Sequence, residues 1–121
     1  METRLQHSND LKYSEVYFSD LVLLKQIFMQ KKDSDIVNED FGLPFLLAKE
    51  ANAIVAFASL IINDHNEIDF VIYESKDLSE EEKEDFRWYV EDYFRKSPSD
   101  NYRDPEQLKS TTSRIIDWIN V

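Results

Sequence analysis

The stretch FLLAKEANAIVAFASLIINDHNEIDFVIYE, Phe45 to Glu74, decides the fold class. Two apolar runs, Phe45 to Lys49 and Ala53 to Ile62, are rich in branched and aromatic residues and too short for typical helices. A tight turn near Glu50, Ala51 and Asn52 separates them. The polar NDHN of Asn63 to Asn66 has turn composition and leads into a third strand, Glu67 to Glu74. There Ile68, Phe70 and Ile72 alternate with Glu67, Asp69, Val71 and Tyr73, the two-residue period of a strand. The pattern predicts a three-stranded antiparallel meander with one face covered by helix.

The flanks supply the cover. LKYSEVYF, Leu11 to Phe18, reads as a further strand, making three to four in all. Ser19 and Asp20 are suited to cap a helix over LVLLKQIFMQKK, Leu21 to Lys32. Leu21, Leu24, Ile27 and Phe28 share one face of it, with Leu23 at the edge. DSDIVNEDFGLP, Asp33 to Pro44, reads as a loop punctuated by Gly42 and Pro44. After the meander, Ser79 and Glu82 form the S-x-x-E capping box of a second helix. Its inner face is Phe86, Tyr89, Val90, Tyr93 and Phe94, at i, i+3, i+4, i+7 and i+8. SPSDNYRDP breaks the chain, and Pro105 opens a third helix with Leu108, Thr112, Ile115, Ile116 and Ile119 in line and Trp118 at the edge. The expected order is β-α-β-β-β-α-α in a single α+β domain over residues 1–121, with residues 1–10 frayed.

Composition narrows the function. The 121 residues carry 14 basic and 25 acidic side chains, a formal net charge of −11. Such a surface repels phosphates and anionic headgroups, so neither nucleic acid nor a membrane surface is an expected partner. The charge is compatible with a basic protein partner, and solubility alone accounts for it more simply. Cysteine is absent, which excludes disulfides and thiolate metal sites. The amino-terminal residues lack the basic-then-apolar pattern of a signal peptide, and the apolar run Ala53 to Ile62 is too short to span a bilayer. A cytoplasmic protein is the expectation. A single glycine, Gly42, cannot build a phosphate-cradling loop.

With Ile54, Val55, Ala56, Phe57 and Ala58 in the second strand of the meander, the strand–helix–hairpin–strand–helix order of Leu11 to Phe94 resembles the front half of the GNAT acyltransferase family. The resemblance implies an acyl-CoA donor whose pyrophosphate is held by a glycine-containing loop after the third meander strand. That position here holds ESKDLSEEE, Glu74 to Glu82, without glycine. Asp77, Glu80, Glu81 and Glu82 satisfy the helix dipole themselves and oppose an added anion. The family's later strands have no counterpart after Phe94. The expectation is a truncated relative without cofactor.

Other chemistry is sparse. His65 stands among Asp64, Glu67 and Asp69, but in a turn-forming tetrapeptide with no metal-ligand spacing. His7 falls in the frayed terminus. Glu67 and Asp69 share one strand face, and either would be the base of an acyltransferase. Trp88 stands apart, because at helical spacing it lies opposite the apolar stripe of its helix. Glu80, Glu84 and Glu91 lie to one side of it and Glu81, Asp85 and Asp92 to the other. A tryptophan between two acidic ridges suits a basic partner; alternatively, the segment from Asn101 onward folds over it. The leading expectation is a non-catalytic binding protein acting through these seven residues, of the kind a bacterial regulator or an immunity-type protein would be, with no cofactor and with homodimerisation compatible. The alternative is a divergent acyltransferase.

Overall fold

The computed structural model describes residues 11–33, 35–74 and 78–120. Four strands, β1 (Leu11–Glu15), β2 (Leu43–Glu50), β3 (Ala53–Ile62) and β4 (Ile68–Glu74), form one antiparallel sheet in the spatial order of the chain. The helices are α1 (Leu21–Lys32), α2 (Glu80–Lys96) and α3 (Pro105–Ile119), with short 3-10 turns at Phe18–Asp20, Glu39–Phe41 and Asp100–Tyr102. The α+β class and the element order are as the sequence predicts. No helix among the described residues is long and apolar enough to cross a membrane.

One expectation is corrected: helices cover both faces of the sheet. Leu46, Ala48, Ala56, Ala58 and Leu60 face Phe86 and Val90 of α2, with Phe70 and Ile72 packed alongside. On the other face Leu47, Phe57 and Tyr73 meet Leu21, Leu24, Ile27 and Phe28 of α1. Nearly every residue of β2 and β3 is therefore apolar, as two-sided burial requires, and in β4 Val71 and Tyr73 serve one face while Phe70 and Ile72 serve the other. Helix α3 joins the two cores, placing Leu108 in the α2-side cluster and Ile119 in the α1-side cluster. Two contacts fasten its end. The Lys25 ammonium donates to the Ile119 carbonyl at 2.7 Å. The Asn120 amide closes a two-bond clasp on the backbone of Val37, accepting from its N–H at 3.0 Å and donating to its carbonyl at 2.8 Å.

Strand ends also differ from expectation. Strand β1 stops at Glu15, and Phe18 enters the 3-10 turn, where Asp20 accepts the Tyr17 N–H at 2.8 Å. Pro44 lies inside β2 rather than in the loop, at a register shift that spares the hydrogen bond it cannot donate. Gly42 precedes it with φ 67° and ψ −153°. This is backbone open to glycine almost alone, and an added Cβ would lie 2.1 Å from the Leu60 carbonyl oxygen. The sole glycine stands where the chain entering β2 passes against the Leu60 backbone of β3.

Candidate interaction surface

Helix α2 begins as its capping box dictates. The Ser79 hydroxyl accepts the Glu82 N–H at 3.1 Å, and the Glu82 carboxylate accepts the Ser79 N–H at 3.0 Å. Glu82 is buried in doing so, and with Glu80 and Glu81 it fills the first turn with negative charge. This end of the helix repels an anion. Asp77 lies outside the described residues.

The inner face packs on β1 and β2. Tyr89 meets Tyr13 with ring centroids 4.8 Å apart, and Tyr93 donates to Glu15 at 2.6 Å. That bond, with burial and the Glu15 charge behind it, pushes the Tyr93 hydroxyl up to about 12. Burial first, then the Asp85 and Glu82 carboxylates, raise the Tyr13 hydroxyl as well.

The outer face carries Trp88, 65% exposed. The carboxy-terminal segment does not cover it. Tyr102 instead packs on Phe45, Tyr93 and Phe94, on the sheet side of α2. The acidic residues named from the sequence divide into two groups. Asp92 is neutralised by Lys96 at 3.1 Å and Arg95 at 3.5 Å, Glu91 lies 4.0 Å from Arg87, and Glu80 lies 3.8 Å from Lys83. Glu81, Glu84 and Asp85 are exposed and form no ion pair with the described residues. They stand seven, four and three positions before Trp88, and helical side chains lean toward the amino terminus. Helical spacing therefore sets an exposed aromatic ring and three carboxylates that are unpaired among the described residues on the first half of α2. Lys83, Arg87, Arg95 and Lys96 sit three or four residues from their partners Glu80, Glu91 and Asp92, but Glu84 is also three residues from Arg87, so spacing alone does not separate the two groups.

The other sequence candidates stay apart. His65 is exposed in a turn in which the Asn63 side chain accepts the backbone N–H groups of His65 and Glu67 at 2.9 and 3.0 Å. Asp69, exposed on β4, accepts the Phe70 N–H at 2.8 Å. His7 is outside the described residues.

Sequence reading did not find an open trough of about 1210 Å³ bounded by α3, the Ile36–Asp40 loop and the β3–β4 hairpin. Much of its polar lining is engaged internally. Asn120 holds Val37, Asn38 accepts the Asp40 N–H, and Lys109 pairs with Glu106. Tyr73 donates to the Asp40 carbonyl at 2.6 Å, and its hydroxyl is pushed up to about 12 by burial and the Asp40 charge. The trough charges that form no ion pair among the described residues, Lys32, Glu39, Asp40 and Asp117, are of both signs, whereas those of α2 are all acidic. Compared with protein-family models, curated proteins and solved structures, the chain matches none.

Proposed function

We propose that the protein is a small acidic binding domain of the cytoplasm, without catalytic activity of its own, that docks a basic protein partner on the outer face of α2. The observation that carries this reading is the exposure of Trp88 beside Glu81, Glu84 and Asp85, none of them paired to a cation among the described residues. A large aromatic side chain in solvent gains most from burial at an interface, and uncompensated carboxylates attract cations and raise the rate of encounter. Helix α2 is held by its cap and its inner face, so the backbone that carries these side chains is formed before a partner arrives.

The test is a crosslinking capture with the wild type, Trp88→Ala and a Glu84→Lys/Asp85→Lys double variant. A partner held by the wild type should be lost with both variants, and its affinity should fall with salt. A partner retained equally by all three would remove α2 as the docking surface.

A divergent acyltransferase remains the second reading, supported by the β-α-β-β-β-α order of Leu11 to Lys96, with Glu67 or Asp69 as base. The acid-filled first turn of α2 weighs against it. Thermal shift with a panel of acyl-CoAs separates the two, since a ligand at 100 times its dissociation constant adds about 2.7 kcal/mol.

A further inference from the structure

On the opposite side of the molecule from α2, Phe18 and Trp118 stack with ring centroids 4.3 Å apart, although 100 positions separate them in the chain. Both rings remain in solvent, Phe18 63% and Trp118 45% exposed. Tyr17 precedes Phe18 and is 66% exposed, and Val22, one turn beyond Phe18, is 52% exposed. At about 200 Å² for an aromatic side chain, these four residues present roughly 450 Å² of mainly apolar surface. This is comparable to the largest patch on an ordinary monomer, one often used for binding.

From this patch we infer that the protein associates with a second copy of itself through the α1–α3 face. Two observations select that occupant. The first is charge. A chain of net charge −11 repels its own copies, so self-association requires a locally neutral face. Asp20, two residues after Phe18, and Arg114, one helical turn before Trp118, flank the stacked pair with opposite signs. Across a twofold axis Arg114 of one copy can approach Asp20 of the other, as an isologous interface demands. The second is area. The apolar patch supplies about half of the roughly 800 Å² that each partner of a stable complex buries, the share expected of an interface centre inside a polar rim. The dimer leaves α2 outward on each copy, because α1 and α2 lie on opposite faces of the sheet.

Sedimentation velocity on the full chain tests this, with concentration raised from about 5 to about 500 µM at low and at high salt. The mass should move from that of one 14.4 kDa chain toward twice it. The shift should occur at lower concentration in high salt, where repulsion between the two acidic copies is screened. Trp118→Ala and, separately, Val22→Glu should hold the protein monomeric, with far-UV circular dichroism unchanged. Both positions are exposed, and Val22→Glu keeps the test decisive if the tryptophan variant folds poorly. Trp88→Ala should dimerise like the wild type. A monomer throughout the range overturns the inference, as does a dimer that survives both patch variants or is lost with Trp88→Ala.

Discussion

Replacing Gly42 with alanine should remove a large part of the stability of this protein, and the size of the loss follows from geometry. The new Cβ would sit 2.1 Å from the Leu60 carbonyl oxygen and 2.9 Å from Ile61 Cγ2. The neighbour is backbone, so relief requires β2 to move about 1 Å from β3 where Leu43 pairs with Leu60. Overpacking of this kind costs about 1–3 kcal/mol. Holding a residue with a side chain at φ 67°, ψ −153° costs a further 1–3 kcal/mol or so. The expected loss is about 4 kcal/mol, against roughly 5–15 kcal/mol for a whole domain. With an unfolding entropy of about 2.1 cal/mol/K per residue, Tm should fall by about 16 °C. Urea denaturation followed by circular dichroism measures it directly, as a lower midpoint at unchanged slope. Ala51→Gly is the control of opposite sign. Ala51 has φ 57° in the β2–β3 turn, and removing its side chain there should stabilise by about 1 kcal/mol. A Gly42→Ala loss below about 1 kcal/mol would refute the reasoning.

Three further outcomes are expected. Asn120→Ala should cost about 2 kcal/mol in urea denaturation, because both backbone groups of Val37 lose their partner; Asn120→Asp should recover part, since it can still accept from the Val37 N–H. Trp88→Ala should change stability by less than about 0.5 kcal/mol, as an exposed position, while abolishing partner capture; a large stability loss would show that its role is packing. Tyr73 holds its proton in the fold to about 12 but releases it near 10 when unfolded. Stability is therefore intact below pH 10 and falls between 10 and 12 as the unfolded state alone ionises. Tyr73→Phe should flatten part of that decline in urea midpoints measured from pH 9 to 12, and an identical slope in both proteins would exclude Tyr73 as a source.

The sequence was informative wherever one local rule acted alone. Strand β3 spans Ala53–Ile62 and α1 spans Leu21–Lys32 as read, because polar residues bound each run. Asp20, however, serves the Tyr17 N–H of the preceding 3-10 turn, and neither it nor Ser19 caps α1 with its side chain. Pro44 misled, since a proline at a register shift obeys strand rules that a linear reading cannot locate. Two-sided burial was present in the apolar runs of β2 and β3 but was obscured by the cleaner alternation of β4. On α2, helical spacing found Trp88 and its ridges, whereas the ion pairing was not legible, because Arg87 stands within one turn of both Glu84 and Glu91 and pairs with the second. The Phe18–Trp118 pair was beyond reach, because nothing local links residues so distant in the chain.

The fastening of α3 has a consequence for how the protein is made. Lys25 waits for Ile119 and Val37 for Asn120, over separations of 94 and 83 residues. The sheet and α2 are available by Lys96, yet the α1 side of the core closes only when the end of α3 has been synthesised. At about 5–20 residues per second on a ribosome, α1 emerges roughly 5 to 19 s before the carbonyl that anchors its lysine. Until then the α1-side cluster lacks Ile119, and Lys25 and Val37 lack the partners that fasten them.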